Sequence, residues 1–256
     1  MRRIAQNTFL HAYRLVFARG LLRLAWGRRF FYAAYELYKR LFEARDIAAL
    51  RAYVPEGGLV IDVGANVGFF TERFAQWVGP AGCVVAIEPE ADNFAEVIRR
   101  LAAKGLAGRV EVLQAVADAR DGTVHLVINP DHPGDHRIGE TGDPVAAVAL
   151  DAVAPNGRRV ALIKIDVQGA ESRVIAGAET LLQRDRPVLF VEIDPGGLAR
   201  FGSSVDALLA ALARLGYAPH VLARGGGGAR ACTRAGLDAI LARRGYTDLL
   251  FLAGPN

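Results

Sequence analysis

The chain has little cysteine and no apolar run long enough to cross a membrane. Its 256 residues include two cysteines, Cys83 and Cys232, which are too few for a disulfide framework. We expect both to be small core side chains in a reducing compartment. No segment reaches the roughly 18 consecutive apolar residues of a membrane-spanning helix, and no apolar signal region with a cleavage site follows Arg2 and Arg3. The sequence therefore predicts a cytoplasmic location.

Acidic residues are scarce in the first 40 positions, which contain nine Lys or Arg residues and Glu36 as the one acid. This segment therefore has a net charge of +8, and because the whole chain has +4, the remainder has −4. Aromatic side chains recur among the arginines at helical spacing, so we expect a basic, aromatic helical extension over residues 1–50. Two interpretations stay open: a helical cap on the main domain, or peripheral contact of residues 1–45 with anionic lipid at the inner membrane surface. No nucleic-acid-binding motif is present, so we expect no nucleic-acid partner.

Short apolar strands alternate with helices from residue 51 to residue 256. The predicted strands are 59–63, 83–87, 110–116, 123–128, 145–150, 160–165, 188–193, 218–222 and 248–252. The predicted helices are 69–78, 92–104, 171–184, 205–215 and 237–243. A repeated strand–helix–strand order predicts an α/β fold in which helices cover both faces of a doubly wound, mostly parallel sheet. We expect one domain over residues 51–256.

Glycines follow the first strand in the segment LVIDVGANVGFF, residues 59–70. Gly64 and Gly68 resemble part of a dinucleotide-binding loop, but Asn66 occupies the place of the middle glycine. A pyrophosphate needs backbone without a Cβ atom at that point, so NAD and FAD fit poorly. Asp62 would repel a phosphate, yet a carboxylate suits the α-ammonium group of S-adenosylmethionine, which has no phosphate. The segment therefore favours S-adenosylmethionine as cofactor.

Acids also end the next two predicted strands. Glu88 lies 20 residues beyond Gly68, where an acid can accept hydrogen bonds from both ribose hydroxyls of a nucleoside. Asp118 follows the third strand, at the position where an adenine amino group would lie. Both acids are therefore predicted to contact the adenosine part of the cofactor.

Three segments carry a resemblance to the FkbM-type S-adenosylmethionine-dependent methyltransferases, which belong to class I. They are VIDVGANVGFFT at 60–71, AIEPEADNF at 86–94 and, most specifically, IKIDVQGAE at 163–171. The resemblance implies a seven-stranded sheet whose last strand is antiparallel, and methylation of an oxygen, often a hydroxyl of a sugar or polyketide. Carried over by position, it implies a cofactor shell of Asp62, Gly64, Asn66, Gly68, Glu88, Asn93 and Asp118. Gln168 departs from the family, where glutamate is common.

The catalytic candidates are acids at strand ends and one histidine in a loop. IKIDVQGAE predicts a buried strand with Asp166 at its carboxyl end, and Glu192 ends the neighbouring strand. An alcohol needs a proton acceptor within hydrogen-bond reach, so Asp166 is the first candidate and Glu192 the second. His136, in the polar loop 129–137, is a third, because it can contact a sugar hydroxyl.

We expect no bound metal, although two alternatives stay open. His132, Asp135 and His136 have no strong zinc spacing, and acids at 166, 192 and 194 resemble a magnesium site of related sugar methyltransferases. The predicted function is S-adenosylmethionine-dependent O-methylation of a glycan, glycolipid or other hydroxylated metabolite. The alternatives are a catalytically silent cofactor-binding adaptor at a membrane or partner surface, and an NAD-dependent oxidoreductase.

Overall fold

The computed structural model describes residues 47–127, 137–139, 141–154, 157–223 and 228–254. The predicted N-terminal extension lies outside the described residues up to position 46, and so do residues 128–136 with His132, Asp135 and His136. The division of the chain at residue 50 therefore stays a prediction. In the part of the chain that is described, no helix is both long and apolar enough to cross a membrane.

Strands and helices alternate along the described chain. The strands are β1 Leu59–Val63, β2 Cys83–Ile87, β3 Val110–Leu113, β4 Val116–Ala117, β5 Gly122–Val127, β6 Arg137–Gly139, β7 Asp143–Val148, β8 Val160–Ile165, β9 Val188–Ile193, β10 Tyr217–Leu222, β11 Ala229–Ala231 and β12 Thr247–Ala253. The α-helices are α1 Phe69–Trp77, α2 Ala91–Ala103, α3 Leu150–Val153, α4 Glu171–Ala176, α5 Glu179–Asp185, α6 Pro195–Arg200, α7 Val205–Arg214 and α8 Arg234–Arg244. Short 3-10 helices span Ala49–Tyr53 and Ala107–Arg109.

The main sheet has the strand order β11-β10-β12-β9-β8-β1-β2-β3. Strands β3, β2, β1, β8 and β9 are parallel to one another, whereas β12 runs antiparallel to both β9 and β10. The prediction of a mostly parallel, doubly wound sheet with its last strand antiparallel is confirmed. An eighth strand, β11, adds to the predicted seven at the edge beside β10. It has three residues, too few for an alternating pattern to be recognised.

Apolar clusters cover the two faces of this sheet. Val60 packs on one face with Phe74 of α1, and Ile61 packs on the other with Val174 of α4. All five residues of β1 are buried, as expected for a central parallel strand between helix layers. The strand order reverses between β1 and β8, with β2 and β3 on one side and β9 on the other. In such sheets ligands bind at this reversal, beside the carboxyl ends of the strands.

Two predicted elements are each divided in the structure. The predicted strand 110–116 is two strands, because β3 pairs with β2 while β4 pairs with β7 in a second sheet of order β4-β7-β5-β6. The predicted helix 171–184 ends at Ala176 and a new helix begins at Glu179. Gly177 lies between them, and a Cβ atom there would be 2.0 Å from the backbone oxygen of Asp118. This close backbone contact requires glycine.

Candidate active site

Four of the predicted site residues, all acids, lie at the carboxyl ends of four adjacent strands. Asp62 lies in β1, Glu88 follows β2, Asp166 follows β8 and Glu192 lies near the end of β9. Since β2, β1, β8 and β9 are neighbours in the sheet, these side chains share one edge. This edge is the ligand-binding edge expected for the fold.

The turn from β1 to α1 requires a glycine at position 64. Gly64 has φ of +75°, and a Cβ atom there would lie 1.9 Å from the backbone oxygen of Asp166. Its N–H donates to the Ile87 oxygen at 3.0 Å. The turn therefore lies between β2 and the segment after β8. This contact joins the segment 60–71 to the segment 163–171.

The same turn directs a backbone donor at Glu88. Asn66 has φ of +51°, a left-handed conformation, and its N–H donates to Oε2 of Glu88 at 2.7 Å. The Asn66 side-chain oxygen accepts from the N–H of Val67 at 2.7 Å, so the asparagine stabilises its own turn. Gly68, with φ of +81°, precedes the first residue of α1.

Glu88 is buried and receives three hydrogen bonds. Besides Asn66, the backbone N–H of Glu90 donates to Oε1 at 3.1 Å and the side-chain amide of Asn93 donates to Oε1 at 3.4 Å. Burial raises the pKa of Glu88 to about 7, although the hydrogen bonds oppose this rise. Its carboxylate is thus fixed at the edge, and the remaining lone pair, on Oε2, can accept a ribose hydroxyl.

Asp62 is fully buried, as part of a charged pair with Lys164. Its Oδ2 accepts from the Thr71 hydroxyl at 2.6 Å, and its Oδ1 lies 3.3 Å from Lys164 Nζ. Oδ1 accepts no hydrogen bond from any described residue. Lys164 Nζ also donates to the Gly64 oxygen at 2.7 Å. Because Thr71 and Lys164 already contact the two oxygens of Asp62, its contact with the α-ammonium group of the cofactor stays a prediction.

Asp118 is engaged by an arginine that the sequence did not single out. Arg173 of α4 donates from Nε at 2.7 Å and from Nη2 at 2.6 Å to the two oxygens of Asp118, a bidentate pair. The N–H of Ala119 also donates to Oδ1 at 2.6 Å. Contact of Asp118 with an adenine amino group, which stays a prediction, therefore has to use the remaining lone pair of Oδ2.

Gln168 connects the two acidic catalytic candidates, Asp166 and Glu192. Its Nε2 donates to Asp166 Oδ1 at 3.3 Å and to Glu192 Oε2 at 3.4 Å. The Asp166 side chain is 31% exposed and its Oδ2 lies 3.6 Å from Lys164 Nζ, so it is open to an acceptor while remaining near a cation. Asp194 does not join this group, because its two oxygens accept from the N–H groups of Gly196 and Gly197.

Glu171 holds the turn that carries Gln168. Its Oε1 accepts from the N–H groups of Val167 at 3.3 Å and Gly169 at 3.1 Å. The side chain is fully buried, and burial raises its pKa. Sequence reasoning noted Glu171 at a helix start but missed this role.

Metal-ligating side chains do not form a group of three anywhere in the described ranges.

The chemistry of this edge fits S-adenosylmethionine. Carboxylates predominate, at positions 62, 88, 166 and 192, with Lys164 as a buried cation among them. Such an edge repels a pyrophosphate and attracts a sulfonium cation. The ribose contact of Glu88 stays a prediction. From β2, β8 with Asp166 is two strands away and β9 with Glu192 three, on the far side of the switch point.

Comparison with known proteins identifies the class. The crystal structure of a putative rRNA methylase from Clostridium thermocellum has a TM-score of 0.52 and 13% identity, covering 83% of this chain and 96% of that one. The fold is that of the Rossmann-like class I methyltransferases, and the protein is a S-adenosylmethionine-dependent methyltransferase. Residues 62–219, more than half of the chain, match the methyltransferase FkbM domain, and the chain belongs to this family. An NAD-dependent oxidoreductase is thereby set aside.

Two relatives have similar identity. "Methyltransferase 1" of Beauveria bassiana is 25% identical over 171 residues, which are 56% of this chain and 66% of the relative. The "31-O-demethyl-FK506 methyltransferase FkbM" of Streptomyces tacrolimicus is 27% identical over 179 residues, 56% of this chain and 68% of the relative. The chain thus spans about two thirds of the length of these relatives.

The raised pKa of Glu88 predicts that binding of the cofactor's nucleoside depends on pH. We expect the ionised carboxylate to accept a ribose hydroxyl, so a protonated Glu88 has to lose its proton on binding and affinity should fall as the pH drops below about 7. We expect the Kd of 5′-methylthioadenosine, which has no group titrating near neutrality, to rise several-fold from about pH 8 to about pH 6. Isothermal titration calorimetry measures this change.

A Glu88→Gln variant is the control, because its amide takes up no proton in this range. Its affinity should be weaker and independent of pH. The free energy of unfolding of the ligand-free protein depends on pH in the opposite direction. Because the pKa of Glu88 is raised in the folded state, its contribution to stability is present at low pH and is lost as the pH rises through about 7. An equal pH dependence of nucleoside binding in the wild type and in Glu88→Gln would refute the assignment.

Proposed function

We propose that the protein transfers the methyl group of S-adenosylmethionine to a hydroxyl oxygen, with Asp166 as the general base. The observation that carries the proposal is the pair of carboxylates at the ends of β8 and β9, joined through Gln168 and partly open to solvent. A hydroxyl is a weak nucleophile until its proton is accepted, and a carboxylate within hydrogen-bond reach does this in the transition state.

The cofactor supplies a methyl carbon on a positively charged sulfur, which leaves as a neutral thioether. The chain's own residues then have two tasks, alignment and proton removal. The β1–α1 turn and Glu88 orient the nucleoside, and holding both reactants in line is a large part of the rate enhancement. Asp166 accepts the hydroxyl proton as the oxygen–carbon bond forms. Lys164, 3.6 Å from Asp166 Oδ2, favours the ionised form of this carboxylate.

The acceptor proposed is a glycan, a glycolipid or another hydroxylated small molecule. The relative in Streptomyces tacrolimicus is named for the oxygen of a demethyl-FK506 compound, which supports an alcohol acceptor. The position of Asp166 argues against a catalytically silent adaptor. An adaptor would not require a partly exposed carboxylate at the edge of the sheet where the cofactor is proposed to bind. Nucleic acid is not proposed, since carboxylates surround this edge and would repel phosphates.

Labelling tests this proposal. Incubation of the protein with methyl-labelled S-adenosylmethionine and fractionated cell lysate should label a hydroxyl-bearing small molecule or glycan as a methyl ether, identified by mass spectrometry. Asp166→Asn, incubated in parallel, should label the same compound much more slowly. Label found in nucleic acid, or on nitrogen or carbon, would overturn the assignment.

A further inference from the structure

Gln168 has an unusual backbone conformation at the centre of the site. Its φ is +57°, in the left-handed region, which residues other than glycine and asparagine adopt uncommonly. Such a conformation is strained and persists where surrounding contacts determine it. An observed backbone outlier between two candidate catalytic acids therefore points to a role for this side chain.

The surrounding contacts at Gln168 are close. The next residue, Gly169, has φ of +113°, and a Cβ atom there would lie 2.2 Å from the backbone oxygen of Gly197 at the start of α6. A Cβ atom on Gly197 would lie 3.2 Å from the carbonyl carbon of Gln168. Glu171 holds the same turn from the other side through the N–H groups of Val167 and Gly169. The loops after β8 and β9 are thus in close backbone contact, and these contacts determine the backbone conformation from which the Gln168 side chain projects.

We propose that Gln168 is a positioning residue whose side-chain amide holds the carboxylates of Asp166 and Glu192 together as one pair. One nitrogen donates to both, at 3.3 Å and 3.4 Å, so its two hydrogens are divided between two acids. Hydrogen bonds to a carboxylate favour its charged form. The amide therefore lets two like charges lie close together and keeps Asp166 able to accept a proton. This role in catalysis rests on the proposed function.

Other charged groups near the pair come from each neighbouring element. Lys164 of β8 is the nearby cation, 3.6 Å from Asp166 Oδ2, and it also faces Asp62 of β1. Asp248 of β12 is the cross-strand partner of Glu192. The negative charge of Asp166 also contributes to the raised pKa of Glu171 in α4. Asp194 of the loop before α6 is bound to its own helix, with Arg200 3.8 Å away.

Because acids predominate around the pair, the Gln168 amide affects the pKa values of Asp166 and Glu192. Among these groups, acids outnumber cations, and like charges within about 4–6 Å raise a carboxyl pKa by about one unit or more. A glutamate at 168 would add a further negative charge and replace the donating nitrogen with an oxygen. The neutral donor at this position therefore favours the ionised form of both acids, together with Lys164 beside Asp166.

The test is a titration of the Asp166 and Glu192 carboxyl carbons by NMR in ¹³C-labelled protein, which needs no acceptor. In Gln168→Glu the pKa of at least one of the two should rise by about one unit or more. Gln168→Met keeps the size and shape of the side chain but removes both donors, so it should produce a smaller rise in the same direction. If Gln168→Glu does not fold, Gln168→Met decides alone.

Gln76→Glu is the matched control, because it makes the same change of charge on α1, where the exposed Gln76 donates to Glu72 at 3.2 Å. It should leave both titrations as in the wild type. Identical pKa values of Asp166 and Glu192 in the wild type, Gln168→Glu and Gln168→Met would overturn the proposal. Methyl transfer by Asp166→Asn tests the proposed function separately: undiminished transfer removes the base assignment and leaves the titration result unaffected.

Discussion

Asp166→Asn is expected to reduce turnover by about 100-fold or more, the usual contribution of a general base. Asparagine has the same shape, and its side-chain oxygen can still accept from Gln168, but it cannot take the proton of a hydroxyl. Affinity for the cofactor should change little, because the predicted nucleoside contacts, Glu88 after β2 and the β1–α1 turn, do not include the Asp166 side chain. Initial rates with the labelled acceptor and calorimetry with S-adenosylhomocysteine measure the two effects.

Glu192→Gln is the matched comparison, since it makes the same change in the second acid of the pair. We expect a smaller loss there, because Glu192 acts through Gln168 and not as the first proton acceptor. Wild-type turnover in Asp166→Asn would contradict the assignment of the base. A large loss in Glu192→Gln alone would move the role to Glu192, and loss in neither would move it to His136.

Glu88→Ala should weaken binding of S-adenosylmethionine by about 1.5–3 kcal/mol, which is about 10- to 150-fold in Kd. The substitution removes the acceptor for a ribose hydroxyl, and it also leaves the N–H groups of Asn66 and Glu90 without their carboxylate. The β1–α1 turn therefore loses a contact that fixes it for the ligand. Isothermal titration calorimetry measures the change, with thermal unfolding to check that the fold is retained.

Glu96→Ala, in the helix α2 that follows Glu88, provides the control. Glu96 lies in α2 and pairs with Arg99 on the surface, so its loss should leave cofactor affinity at the wild-type value. Unchanged affinity in Glu88→Ala would show that the end of β2 does not bind the nucleoside. Equal losses in both variants would mean that the effect comes from α2 and not from the carboxylate of Glu88.

The central strands could be predicted from sequence because their burial leaves a continuous apolar pattern. Strands β1, β2, β8 and β9 have the predicted bounds. The breaks at 114–115 and at Gly177 could not be predicted in this way. Each depends on a partner distant in sequence: β4 pairs with β7, and Gly177 contacts the backbone of Asp118. Local periodicity contains no information on such contacts.

The same distinction applies to the site. Acids at strand ends could be placed at one edge, because parallel strands of one sheet present their carboxyl ends together. Side-chain pairing across elements could not be foreseen, as with Arg173 on Asp118 and Lys164 on Asp62. Gln168 was visible only as a departure from the family's glutamate. Its contacts with two acids depend on a left-handed turn that the sequence VQGAE does not specify.

The central claim is that the acidic carboxyl edge of β1, β2, β8 and β9 binds a phosphate-free adenosine derivative. A crystal structure of the protein with S-adenosylhomocysteine tests it most directly. We predict a ribose hydroxyl within hydrogen-bond distance of Glu88 and a sulfur atom directed toward the Asp166–Glu192 pair. A ligand bound elsewhere, or a nucleoside whose ribose does not contact Glu88, would contradict it.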